Sequence, residues 1–127
     1  MIAQAHSATL LGIEALPIVV EVDLRPLSDS NNFQLVGLAD KAVQESQVRV
    51  RSAVINSDMR MPNHKIICNL APGDVRKEGP FLDLPIAVAI LAVDGQVNSE
   101  ELDGTLIIGE LGLSRYCESS IGSSTSP

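Results

Sequence analysis

Residues 69–89 read NLAPGDVRKEGPFLDLPIAVA, and this stretch decides how the chain folds. It begins as the end of an apolar strand, continues as a charged loop with glycine and proline, and ends as an apolar helix. Asp83 precedes the apolar run and is placed to cap the helix, and Pro85 falls in the first turn, where a missing N–H costs little. The stretch therefore predicts a strand, a loop and a buried helix in that order.

Two strands are predicted at the start of the chain. Residues 2–10 and 13–24 alternate between apolar and polar side chains or run apolar, and Gly12 separates them. We expect them to pair as a hairpin or as neighbouring antiparallel strands. Pro17 predicts a bulge in the second strand, because proline cannot donate to a ladder of hydrogen bonds.

Three shorter apolar segments also read as strands. Residues 33–37 and 65–70 are compact apolar runs bounded by turn-forming residues. Residues 105–111, with the sequence TLIIGEL, predict a last strand.

One long helix is predicted between the strands at residues 33–37 and 65–70. Asp40 is placed to cap it, and the apolar positions that follow have helical spacing until about residues 56–58. Glu45 and Arg49 are four residues apart, so we expect them to form an ion pair on the outer face of this helix.

The order of elements predicts the fold class. Strands followed by a β-α-β-α-β succession indicate an α+β domain of two layers, with the helices on one face of a mixed sheet. A chain of 127 residues is long enough for one hydrophobic core. Aromatic residues make up only 2% of the chain, so leucine, isoleucine, valine and alanine must fill that core.

The cysteines and histidines predict no metal site and no disulfide framework. Cys68 and Cys117 are far apart, and His6 and His64 have no second ligand at helical or hairpin spacing. The amino terminus lacks a basic segment before its apolar residues, and no apolar run is long enough to span a bilayer. We therefore expect a reduced, cytoplasmic protein with no membrane segment, no catalytic metal and no cofactor of its own.

The charges are unevenly distributed along the chain. The net charge is −7, but seven of the nine lysines and arginines fall within residues 41–78. This middle third predicts either a solvated helix face with a polar loop or a local basic surface for nucleic acid or an acidic partner. The candidates for contact with DNA or a neighbouring subunit are Arg49, Arg51, Asp74, Arg76, Lys77 and Glu78. Alternatively, the four loop charges among them pair with one another and fix the loop.

Four segments in order resemble one protein family. They are residues 7–15 (SATLLGIEA), 36–54 (VGLADKAVQESQVRVRSAV), 69–92 (NLAPGDVRKEGPFLDLPIAVAILA) and 107–111 (IIGEL). Together they resemble the amino-terminal domain of the magnesium-chelatase-like AAA+ ATPases of the ComM/YifB type. The resemblance implies a ribosomal-protein-S5-domain-2-like, Lon-protease-like fold. Asp58 stands where this family commonly has glycine.

The resemblance to Lon-type domains does not extend to their catalytic residues. Lon-type peptidases place a catalytic serine after a Lys-acid-Gly-Pro run, but here residues 77–80 are followed by Phe81, which supplies no nucleophile. The last lysine of the chain is Lys77, so the partner lysine is missing as well. We therefore expect a non-proteolytic relative without catalytic residues. The residues with expected structural roles are Asp40, Gly79, Asp83 and Pro85, and Asp83 is interpreted as a helix cap rather than a catalytic acid.

The expected domain organisation follows from the same resemblance. Residues 1–112 form the Lon-like amino-terminal domain, and residues 113–127 are a disordered or aberrant tail that indicates a fragment, a frameshift or a degenerate gene copy. The P-loop pattern G-x-x-x-x-G-K-[ST] does not occur in the chain. The AAA+ module, which would bind ATP and Mg²⁺, is thus absent from this sequence.

The functional expectation is an accessory domain of a ComM/YifB-type ATPase. For the intact family, the resemblance implies a hexameric ring that works on DNA during recombination or natural transformation. Within it, this domain would dock subunits or guide DNA. The alternatives are a free-standing oligomerisation module and a residual Lon-like peptidase.

Overall fold

The computed structural model describes residues 2–11, 13–29, 31–77 and 79–112. Glu78 and the predicted tail at 113–127 lie outside these residues. The strands are β1 (Ile2–Leu11), β2 (Glu14–Arg25), β3 (Phe33–Val36) and β4 (Lys65–Ala71). The helices are α1 (Lys41–Gln44), α2 (Ser46–Asn56) and α3 (Asp83–Val93), followed by a 3₁₀ helix (Ser99–Leu102).

The four strands form one mixed sheet in the order β1-β2-β4-β3. β2 is antiparallel to both β1 and β4, while β3 and β4 are parallel. The predicted hairpin is confirmed, but the predicted bulge at Pro17 is wrong, because the register between β1 and β2 continues through the pair Ala8↔Pro17. Pairing between β2 and β4 ends at Val19↔Ala71, so Pro17 removes no bond to β4.

The helices cover one face of this sheet, which confirms the predicted two-layer α+β class. Ala5, Val20, Leu70 and Phe33, one from each strand, are buried on that face. α3 packs against β1 and β2, and α2 packs beside α3. On the opposite face, Glu21 accepts hydrogen bonds from Gln4 (2.7 Å) and Asn69 (3.3 Å) on the flanking strands. The open face therefore carries a polar row across three strands.

α3 is buried on nearly all sides, as its apolar sequence predicts. Nine of its eleven residues are buried, including Pro85 in the first turn. Asp94 follows the helix, and Gly95 has φ +82°, a left-handed conformation suited to glycine at a helix end.

The single long helix predicted after Asp40 is divided at Glu45. The break follows from a side chain, because Arg49 Nη2 donates to the carbonyl oxygen of Ala42 at 2.6 Å. In an unbroken helix that carbonyl would pair with the N–H of Ser46. α2 ends at Asn56 as predicted, and Asp58 has φ +65°, a left-handed conformation that glycine adopts more readily than other residues.

The strand predicted at 105–111 is wrong as a regular element. Leu106 forms a single parallel bridge with His6, and Ile107 N donates to His6 O at 2.8 Å. The chain then leaves β1, because Gly109 bonds with the start of α3: its N–H donates to Phe81 O (2.9 Å) and its carbonyl accepts from Leu84 N (3.0 Å). These bonds take the place of a ladder along β1.

Candidate functional site

The candidate site lies where the parallel strands β3 and β4 end and the helices begin. Asp40 caps α1, since its Oδ1 accepts from Val43 N at 2.9 Å. Its other oxygen, Oδ2, accepts from Gly79 N at 3.3 Å, and Gly79 has φ +82°. One carboxylate thus holds both a helix start and the loop between β4 and α3.

Asp83 does not cap α3, contrary to the sequence-based prediction. Leu82 occupies the N-cap position and makes no side-chain cap bond, while Asp83 is the first helical residue and is fully buried. Its carboxylate turns towards α2 because stronger donors are there. Ser46 Oγ donates to Oδ1, Arg49 Nε donates to Oδ2 at 2.5 Å, and Arg49 Nη2 donates to Oδ1 at 3.0 Å.

The Asp83 carboxylate also holds the segment that follows the 3₁₀ helix. Leu111 N donates to Asp83 Oδ2 at 3.2 Å. Charge-assisted bonds of this kind are stronger than neutral ones, and a buried carboxylate needs all of them to offset the loss of water. Asp83 therefore joins α2, α3 and the region around Leu111.

Arg49 is an internal residue rather than a surface cation. Its side chain is only 18% exposed, and hydrogen bonding with Asp83 raises the pKa of its guanidinium. The expected pair with Glu45 is present at 3.8 Å, but it is the outer and weaker of the two contacts. Arg51 lies about 200° further around the helix and is exposed. The structure thus separates the two arginines predicted as contacts.

Lys77 is also withdrawn from the surface. The residue is buried, and its Nζ donates to the carbonyl of Pro72 within the same loop. Its main chain pairs with the segment after β3, with Lys77 N to Leu38 O and Asp40 N to Lys77 O both at 3.0 Å. Burial lowers the pKa of the Lys77 ammonium, while the charge of Asp74 opposes that shift.

The predicted charge cluster of the loop is therefore not one exposed set. Asp74 and Arg76 are exposed, Lys77 is buried, and Glu78 lies outside the described residues. The alternating charges in the sequence had two interpretations, and the position of Lys77 supports a loop fixed by its own contacts.

At the position that follows residues 77–80, the described part of the chain carries an apolar side chain and no nucleophile. Phe81 is 47% exposed beside the start of α3, where the Lys-acid-Gly-Pro pattern would be followed by a serine in Lon-type peptidases. Ser46 contacts a carboxylate, but both groups are fully buried. Among the described residues, no group of three or more histidine, cysteine, aspartate or glutamate side chains is placed to hold a metal ion.

Sequence reasoning missed Ser46. The residue is fully buried, and it occupies a position on the apolar stripe of α2 that continues with Val50, Ala53 and Val54. A small polar residue at a core position of a helix is the signal that would have indicated a buried partner, because buried hydroxyls are normally hydrogen-bonded.

Comparison with known proteins identifies the family. The sequence profile described as subunit ChlI of Mg-chelatase matches residues 20–123, which is most of the chain. The chain belongs to the Mg-chelatase-like family. Among the relatives of this chain, the uncharacterized protein YifB of Salmonella typhimurium is 43% identical over 112 residues, covering 88% of this chain and 22% of that protein. YifB of Escherichia coli is 44% identical over 108 residues, covering 85% of this chain and 21% of that protein.

A further relative of this Mg-chelatase-like chain has a functional name. The competence protein ComM of Haemophilus influenzae is 40% identical over 112 residues, covering 88% of this chain and 22% of that protein. The chain spans about a fifth of the length of the curated relatives it matches. The resemblance to the ComM/YifB type is thereby confirmed.

Among the described residues, no helix is both long enough and apolar enough to cross a membrane.

Proposed function

We propose that this chain is a non-catalytic domain that docks subunits of a Mg-chelatase-like AAA+ protein of the ComM/YifB type. In this proposal the intact protein is a cytoplasmic homo-oligomer, a hexamer as the resemblance implies. ATP and Mg²⁺ bind to its AAA+ module, and the assembly acts on DNA in natural transformation, in line with the name of the competence relative.

The observation that carries the docking role is the outer face of α2. Val48 and Ile55 are 62% and 53% exposed, and Arg51 lies between them on the same side of the helix. Exposed apolar side chains that line up with an arginine are typical of protein interfaces, where arginine is enriched and lysine is depleted.

The internal contacts support docking over DNA guidance. Arg49 and Lys77, two of the cations expected to meet DNA, use their charges inside the domain. Affinity for nucleic acid depends on cations that neutralise phosphates, and an acidic chain with net charge −7 has few to offer once these two are removed. The contacts of Arg49 with Asp83 and of Lys77 with Pro72 instead stiffen the domain. A stiff domain loses less conformational entropy when it docks.

The proposal is tested by measuring self-association and DNA binding of the whole chain. Sedimentation velocity over a concentration series should show a concentration-dependent species larger than the monomer. Fluorescence anisotropy with a labelled single-stranded oligonucleotide should show no binding at 150 mM salt, roughly the physiological ionic strength.

DNA guidance is the second candidate function. Of the cations predicted to contact DNA, Arg51 and Arg76 are exposed. A chain that stays monomeric yet binds the oligonucleotide would favour it, provided that an Arg51→Gln/Arg76→Gln variant loses the binding and its salt dependence. A monomeric chain that binds no DNA would contradict both functions. Turnover of a fluorogenic peptide is not expected, because Phe81 replaces the nucleophile.

A further inference from the structure

Two exposed surfaces lie at opposite ends of the helix layer. The first, the α2 stripe, consists of Val48, Arg51 and Ile55. The second, the acidic edge, consists of Glu100, Glu101, Asp103 and Leu106. α2 connects β3 with β4 at one side of the sheet, and the 3₁₀ helix packs on β1 and α3 at the other. α3 lies between them, so one molecule cannot bring the two surfaces together.

The α2 stripe points away from the rest of its own domain. Arg49 reaches α3 to bind Asp83, and Arg51 is about 200° from it around the helix. The buried residues of α2 are Ser46, Val50, Ala53 and Val54, which leaves the side with Val48 and Ile55 in solvent. Arg51 is exposed, and among the described residues no carboxylate pairs with it. The stripe therefore presents an apolar ridge with one available cation.

The acidic edge has the complementary properties. Glu100, Glu101 and Asp103 are exposed, and residues 79–112 contain no lysine or arginine. Leu106 beside them is 45% exposed. An open cavity of about 250 Å³ lies at the same place and is lined by His6, Gly104, Thr105 and Leu106. The acidic edge thus combines an open cavity, an exposed apolar side chain and negative charge.

We propose that the α2 stripe of one copy of this chain docks onto the acidic edge of a second copy. Arg51 faces Glu100 and Glu101 of the neighbouring copy, and an aliphatic side chain of the stripe enters the cavity beside Leu106. This inference deepens the proposed docking function and rests on it. Because the two surfaces differ, the contact is heterologous, and each copy keeps one unused surface for the next. Such a contact builds a ring when the rotation closes and a filament when it does not.

The charges set which partner is accepted. Complementary charges at an interface raise the association rate and exclude wrong registers, while like charges placed opposite each other weaken binding strongly. Reversal of Arg51 should therefore weaken self-association by at least about tenfold. The same reasoning predicts that the assembly of the unmodified chain dissociates as the salt concentration rises.

The test uses two charge-reversed chains, alone and mixed. Arg51→Glu damages only the α2 stripe, and Glu100→Arg/Glu101→Arg damages only the acidic edge. Each variant alone should sediment as a monomer at concentrations where the unmodified chain associates. A 1:1 mixture should recover association, because the intact stripe of one variant meets the intact edge of the other. Lys65→Glu, which makes the same charge change on β4, should leave association unchanged.

The outcomes separate the inference from the proposed function. If the unmodified chain associates but Arg51→Glu does not weaken it, or association is insensitive to salt, this interface is wrong while docking stands. Failure of the mixture to recover points to a symmetric contact between like surfaces and also overturns the inference. An unmodified chain that is monomeric at all concentrations contradicts docking itself. Circular dichroism verifies that each variant is folded, and Arg51→Gln, which removes the charge without reversing it, gives a milder second comparison.

Discussion

Arg49 of α2 and Asp83 of α3 form an ion pair inside the helix layer, with Nε and Oδ2 2.5 Å apart. Asp83 is fully buried, and the side chain of Arg49 is 18% exposed. The same carboxylate accepts from Ser46 and from the backbone of Leu111. A charge in such a place is stable only while its partners remain, so the pair holds the two helices and the following segment in one arrangement.

Removal of one member of this pair should be costly. We expect Asp83→Leu or Arg49→Met alone to lower the free energy of unfolding by about 3–5 kcal/mol, because each leaves an uncompensated charge near the core. The double variant should cost much less than the sum of the two, since neither charge remains. Urea denaturation measures all three. Arg51→Met, an exposed arginine on the same helix, should change stability by less than about 0.5 kcal/mol. Additive costs would show that the pair is not coupled.

Ser46 and Ser7, which are both buried, should respond differently to alanine. Ser46→Ala removes a donor to Asp83, and we expect a loss of about 1–3 kcal/mol. Ser7 is 1% exposed, but its Oγ has no hydrogen-bond partner in the described part of the chain, so Ser7→Ala should be neutral or stabilising. Thermal unfolding of both variants provides the comparison. Equal losses at the two sites would mean that packing, not hydrogen bonding, sets their contribution.

Gly37 should not tolerate a side chain. Its φ is +117°, and a Cβ at this position would overlap the carbonyl oxygen of Leu70 on the neighbouring strand β4. We expect Gly37→Ala to destabilise the domain by about 3 kcal/mol or more, combining backbone strain with a clash against main chain. Gly73→Ala is the matched control, because a Cβ there meets no atom within 4 Å. In a denaturant titration, Gly37→Ala should unfold at a clearly lower denaturant concentration than Gly73→Ala. Similar unfolding midpoints would contradict the close approach of Gly37 to the backbone of Leu70.

Cys68 should make the domain less stable at alkaline pH. Burial raises the pKa of its thiol from 9.0 to about 12. The unfolded chain then ionises this thiol above pH 9 while the folded protein retains the proton, so stability is complete below pH 9 and falls as the pH rises towards 12. Denaturation between pH 8 and about 10.5, the range around the thiol's ordinary pKa, measures the free energy of unfolding. This free energy should decline less steeply with pH in Cys68→Val than in the unmodified chain. Mass-mapped alkylation should leave Cys68 unmodified until the chain unfolds, and rapid native labelling would contradict its burial.

The local sequence was sufficient for the main elements. Alternating side chains gave β1 and β2, the apolar run after Pro85 gave α3, and Asp40 indicated the start of α1, because each pattern is set by neighbours within a few residues. The motif at 69–92 indicated the family in the same way. Where the predictions failed, a side-chain contact or a long-range contact had altered a local preference. The helix breaks at Glu45 because Arg49 donates to Ala42, and residues 105–111 turn from β1 to the start of α3.

The sequence alone therefore determined most of the elements, the aliphatic core and the family, since these depend on local periodicity and on order along the chain. Only the tertiary structure decided which charges face solvent. Asp83 could cap its own helix, and Arg49 could pair outward with Glu45, but folding places them together although 34 residues separate them. In a dry interior each of the two charges needs the other and the surrounding donors to offset the loss of water, whereas an exposed cap or surface pair stays solvated without its partner, and this difference appears only when the distances in space are known.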